Sequence, residues 1–295
     1  MDNYTREEKN VRIQVPICDR TQSTDLTMDV SLPDYQPEIK RLLRVRATVH
    51  PADKYIGAGS TELSGVIDYV ILYAGNDNAL YSATQTGEYR FSVPVEMPSD
   101  YDRSEGILCD TEVRPDMVSG RVVSPRKLSL KCRLRSRVRM YASRILPDAI
   151  RTADHTVQTL KGSAECAHVF LGTSEPVLLA DEMLLDTQTS DLRVILAEGQ
   201  VFVSEATAGS GTVNCRGDVC LKLLTVQDAN GTPTVWQRRI PFAQSVPTDG
   251  AEVNCDCVAS GFCTDVSVTV EEGRLLCEVT EFFGQERKET SISHS

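Results

Sequence analysis

The chain has 295 residues, with 31 Lys plus Arg against 42 Asp plus Glu and a net charge of −11. Hydrophobic residues at 41% and charged residues at 25% exclude wholesale disorder, which needs low hydrophobicity with high net charge. No run approaches the roughly 20 apolar residues that span a bilayer, and at about 150 residues per domain the length fits two domains.

In chain order, Met1 to Lys9 is polar, with no apolar core of a secretory signal, so a cytoplasmic protein is expected. Pro37 opens a segment, Glu38 to Leu43, that predicts one or two helical turns. Period-two alternation then predicts strands. Leu43, Val45, Ala47 and Val49 share one face, as do Leu63, Gly65, Ile67, Tyr69, Ile71 and Tyr73, and then Tyr89, Phe91, Val93 and Val95. From Lys127 to Met140 the set Leu128, Leu130, Cys132, Leu134, Val138 and Met140 points inward. Pro147 lies near an expected linker, and Asp181 to Asp186 suggests a second short helix.

The order of signals then repeats at a spacing near 150 residues. Leu43-Arg44-Val45 recurs as Leu192-Arg193-Val194, Gly65 as Gly217, and Phe91 as Phe242. The expectation is an all-β chain of two tandem β-sandwich or partly closed barrel domains, 1–148 and 149–295, with few short helices. The charge divides unevenly between them. Residues 1–150 carry 21 basic and 21 acidic side chains, whereas residues 151–295 carry 10 and 21. An acidic second half repels phosphate, so no nucleic-acid partner is expected.

Pro33-Asp34, Pro37-Glu38-Ile39 and Leu42-Leu43, followed by the strand from Gly65 to Ile71-Leu72-Tyr73 and by Phe91 before Pro98, resemble the SPOCS domain across residues 22–142. The second half looks like a more divergent copy. The resemblance implies a non-enzymatic adaptor in spore coat or spore envelope assembly, at the forespore surface in the mother-cell cytoplasm. It implies as partner the morphogenetic ATPase of the coat's basement layer. It supplies no catalytic residues; the motif positions are Pro33, Asp34, Pro37, Glu38, Gly65 and Tyr73, and Pro33-Asp34 with Pro37 reads either as a rigid extended entry to a helical turn or as an exposed recognition loop. Relatives often end in a LysM-type module, whereas this chain ends in a polar tail, Glu289 to Ser295.

One stretch carries more charge than a strand needs. Lys131, Arg133, Arg135, Arg137 and Arg139 fall on odd positions and so on one strand face. They read either as a wet face paired with carboxylates such as Glu62, Asp68, Glu88 or Glu112, or as a basic stripe that docks an acidic protein surface. The acidic second half of another copy is one such surface, which would give head-to-tail self-association.

Catalytic and metal signals are weak. Cys255, Cys257, Cys263 and Cys277 have no nearby histidine, and zinc ligand pairs usually sit two to four residues apart on turns with histidine among them. Reduced, buried thiols are expected, with no metal and no cofactor. The glycines around Gly59 and Gly209 precede strands rather than helices and read as turns. A carbohydrate- or peptidoglycan-binding sandwich is the competing reading, and it needs a wet row formed by Tyr55, Tyr81 and Tyr101.

Overall fold

The computed structural model describes residues 10–99, 106–147, 169–185, 192–227, 231–253, 255–271 and 273–288. Fourteen strands and no helix occur among them. The first seven are β1 (Asn10–Ser31), β2 (Ile39–Val49), β3 (Asp53–Ile56), β4 (Ser60–Gly75), β5 (Leu80–Pro94), β6 (Ile107–Ser124) and β7 (Lys127–Pro147). The others are β8 (Leu171–Thr173), β9 (Val177–Leu184), β10 (Leu192–Ala208), β11 (Thr212–Gln227), β12 (Thr232–Pro247), β13 (Asp256–Glu271) and β14 (Arg274–Lys288).

They form four open antiparallel sheets. One has the order β1–β7–β6; a second has β4 at its centre, paired with β2, β3 and β5. These two enclose the first core, filled by Leu63, Ile67, Tyr69, Ile71 and Tyr73 of β4 and Leu128, Leu130, Leu134 and Met140 of β7. The second pair repeats the plan. The sheet β10–β11–β12 faces a sheet in which β14 pairs β13 on one side and β8 and β9 on the other. Leu221, Leu223, Phe242, Cys277, Val279 and Phe283 lie in the second core. Two faces meeting over an apolar layer make the architecture sandwich-like, with no sheet closed into a barrel.

The strand pairing fixes which residues of the two sheet pairs correspond. Gly65 lies across from Tyr89, and Gly217 across from Phe242. In both, the aromatic ring covers the glycine: a Cβ at Gly65 would fall 2.6 Å from the Tyr89 hydroxyl, and one at Gly217 would fall 2.8 Å from the Phe242 ring. The counterpart of Phe242 is therefore Tyr89 and not Phe91, which lies across from Leu63.

Neither expected helix occurs among the described residues, and Asp186 lies outside them. Glu38 to Leu43 runs from a turn into β2, and Asp181 to Leu184 belongs to β9. Pairing of β2 with β4 runs from Ile39 to Val49 and gives the segment a ladder of hydrogen bonds that a single helical turn does not. A bulge between Leu42 and Arg44 inserts one extra residue and resets the alternation. Leu43 consequently turns outward, at 39% exposure, while Ala47 and Val49 stay buried. Residue 148 and the following residues to 168 lie outside the described residues. No helix among the described residues is long and apolar enough to cross a membrane.

Candidate interaction surface

β7 is the central strand of its sheet, and its alternation holds from Lys127 to Ser143. Leu128, Leu130, Cys132, Leu134, Val138 and Met140 are buried, and Lys131, Arg133, Arg135, Arg137 and Arg139 line the wet face. Both neighbouring strands bring aspartates to that face. Across from Arg133 lies Asp25 of β1, and across from Arg139 lie Asp19 of β1 and Asp110 of β6.

The arginines use these carboxylates. Arg133 grips Asp25 with two hydrogen bonds, Nε at 2.7 Å and a terminal nitrogen at 3.2 Å. Arg137 grips Asp19 in the same forked way at 3.0 and 2.8 Å. Arg139 donates twice to Asp110, at 3.0 and 2.5 Å, and Arg135 approaches Asp116 at 3.6 Å. The guanidinium of Arg137 holds the Asp19 carboxyl below its ordinary pKa, and Arg133 does the same to Asp25. The partners are thus aspartates of β1 and β6. Of the carboxylates expected from sequence, Glu62 pairs with Arg90, Asp68 with His50, and Glu112 with Arg114. Asp19, Asp25 and Asp29 do occupy odd positions against inward Leu26, Met28 and Val30, and that pattern was available in the sequence. The result is a face with a basic central row between two acid-bearing strands.

The motif residues fall into two places. Pro33 to Gln36 forms a turn, closed by the Gln36 amide donating to the Pro33 carbonyl at 3.0 Å. The buried Tyr73 hydroxyl donates to the Pro37 carbonyl at 3.2 Å. Arg126, in the turn between β6 and β7, donates to the carbonyls of Pro33 at 3.0 Å and Gln36 at 3.2 Å. Its guanidinium also lies 3.9 Å from Asp34 and 3.7 Å from Glu38. Pro33, Asp34, Pro37, Glu38 and Tyr73 therefore make one clamp that ties β2 to the β6–β7 turn. Arg126 completes it, and nothing local in the sequence singles it out, because it acts across 93 residues. Gly65 sits apart, against Tyr89.

Among the described residues no group of three or more His, Cys, Asp or Glu side chains is arranged to hold a metal ion. Cys257 donates to the Ala206 carbonyl at 3.4 Å, Cys263 to that of Asp265 at 3.5 Å, and Cys277 lies in the second core. Burial pushes Cys263 and Cys277 up to about 11, which keeps both as neutral, unreactive thiols near neutral pH. Tyr55 is 71% exposed, but the Tyr81 ring packs 5.8 Å from Tyr73 and beneath Arg193. Their partners on β4 are Glu62 and Tyr73, which places them roughly 35 Å apart along the strand. Tyr101 lies outside the described residues. No protein-family model matches the chain, and neither does any curated protein or solved structure.

Proposed function

We propose that the chain is a non-enzymatic adaptor that docks a protein partner through the outer face of the β1–β7–β6 sheet. The observation that carries this reading is the ladder of ion pairs on that face. Isolated exposed pairs contribute only about 0–1 kcal/mol each, so stability is a weak reason for four of them along one strand. Fixing long arginine side chains in advance lowers the ordering cost of docking, and a patterned charge surface selects its partner by register. A partner that fits carries the complementary pattern, an acidic ridge over the Lys131–Arg139 row with cations flanking it over the aspartates of β1 and β6.

The resemblance of Pro33 to Tyr73 to SPOCS domains sets the biological frame. In that frame the chain works in spore coat or spore envelope assembly, in the mother-cell cytoplasm at the forespore surface. The partner is a coat morphogenetic protein, and self-association is the second arrangement. The test is affinity capture from sporulating cells with the full chain and with an R133E/R135E/R137E variant whose circular dichroism remains that of a β protein. Coat assembly proteins are expected with the first and not the second. Equal recovery by both overturns the docking face.

A further inference from the structure

The two sheet pairs meet where β10 lies against β2 and β5. Glu198 of β10 lies 2.7 Å from Arg46 and 3.7 Å from Arg44, both on β2. The pairing registers make Arg46 and Glu198 corresponding residues. Arg46 lies across from Val70, Glu198 across from Lys222, and β4 and β11 correspond through Gly65 and Gly217. Equivalent positions of the two repeats thus touch each other. A contact of this kind creates two related clefts, one over each central sheet.

The clefts differ in chemistry. The first lies over β4 and β5 and is lined by Asp68, Val70, Thr84 and Thr86. On β4 and β5 its carboxylate is Asp68, taken up by His50 and Thr86, while β10 and β13 add Glu198 and Asp265. The second, of about 690 Å³, lies over β11 and β12. At the corresponding positions it carries Cys220, Lys222, Gln237 and Arg239. Arg44 and Arg46 form the opposite wall. The fold does not require this charge, because the other repeat fills the same sites with Val70, Thr84 and Thr86.

The charge is also uncompensated. Arg44 and Arg46 share the single carboxylate of Glu198, and no ion pair joins Lys222 or Arg239 to a carboxylate among the described residues. Arg238, at the rim, is held by Asp181 at 2.7 Å. The half of the chain that carries this cleft has 10 basic against 21 acidic side chains. Four cations around one carboxylate in a concave site make a focused positive potential. On the β1–β7–β6 face, by contrast, each of the four arginines has an aspartate.

We infer that this cleft binds an extended acidic peptide segment with carboxylates on alternate residues, as a site separate from the proposed docking face. The spacing favours a peptide over a small anion. Arg44 and Arg46 are two residues apart on one strand, and Lys222 and Arg239 are diagonal neighbours across two, so each wall offers cations about 7 Å apart. Side chains on one face of an extended peptide repeat at the same interval. The volume lies in the roughly 300–1,000 Å³ range of ligand clefts.

The test uses the full chain and a fluorescein-labelled peptide of alternating Glu and Thr, read by fluorescence anisotropy. The variant K222V/R239T carries the residues found at the same places in the first repeat, so folding is preserved, and thermal melting checks this. Peptide affinity is expected to fall at least tenfold in K222V/R239T and to stay unchanged in R90Q, which removes a cation elsewhere. Binding is expected to weaken steeply with added salt. Absence of peptide binding at low salt, equal affinity in K222V/R239T, or binding of inorganic phosphate but not of the peptide overturns the assignment.

Discussion

Glu281 sits where the fold asks for a hydrocarbon. It lies on the inward face of β14 with Cys277, Val279 and Phe283, is fully buried, and neither carboxyl oxygen has a hydrogen-bond partner. Counting from the β6–β7 and β13–β14 turns, its counterpart on β7 is Leu134. Burial alone lifts its pKa from 4.5 to about 7. Cys263, across from it on β13, stays neutral in this range. A carboxyl whose folded pKa is raised stabilises fully below its unfolded pKa, and that contribution drains away as pH rises through the folded value. Stability should therefore fall between about pH 4.5 and pH 7 and level off above, by roughly 3 kcal/mol in all. The only tryptophan, Trp236, packs against this core and reports its unfolding. Urea unfolding followed by Trp236 fluorescence should give a higher midpoint at pH 5 than at pH 8. Glu281→Leu should remove that difference and raise the midpoint at pH 8. A pH difference that survives Glu281→Leu would exclude Glu281 as its source.

Two devices set the shape of the elements, and each can be broken singly. Arg126→Ala removes the donors that hold the Pro33 and Gln36 carbonyls and releases the start of β2 from the β6–β7 turn. The expected loss is about 1–3 kcal/mol, read as a lower urea midpoint, whereas Arg126→Lys should restore only part because it cannot fork. Gly65→Ala and Gly217→Ala both push a methyl into an aromatic ring, but at Gly217 the Phe202 carbonyl stands in the way as well. Backbone cannot yield as a tyrosine hydroxyl can, so Gly217→Ala should cost more than Gly65→Ala, for which about 1–3 kcal/mol is expected. Equal costs would show that the rings, not the backbone, limit the site. Alternation was legible in the sequence where a strand has one wet and one dry face, as Leu128 to Met140 shows. What escaped were effects of distant partners. Pro37 signals a helix start, yet pairing with β4 made a strand. The bulge at Leu42 reversed Leu43, and the aspartates on β1 and β6 settled what the arginines face.

At the scale of the molecule, the repeats join through unlike residues at a like position. Glu198 is 12% exposed in its side chain and sits between Arg44 and Arg46, with Lys222 and Arg239 on the far side of the same cleft. Removing its charge leaves cations facing cations across the junction, so the two sheet pairs should repel where they now attract. Arg193 reinforces the contact from the same strand, with its guanidinium 5.2 Å over the Tyr81 ring. That contact alone does not neutralise the cleft. Glu198→Ala should therefore destabilise by about 1–3 kcal/mol, below the roughly 3–5 kcal/mol of a fully buried pair because Arg44 and Arg46 remain partly wet. The loss should fall on the coupling and not on either core, since Glu198 belongs to neither. Calorimetry of the native chain should show the two cores melting closer together than in Glu198→Ala, where the transitions separate. The swap R46E/E198R, which restores one opposite pair at the junction, should bring them back together. Transitions that stay equally spaced in all three proteins would mean that the ion pair does not couple the repeats.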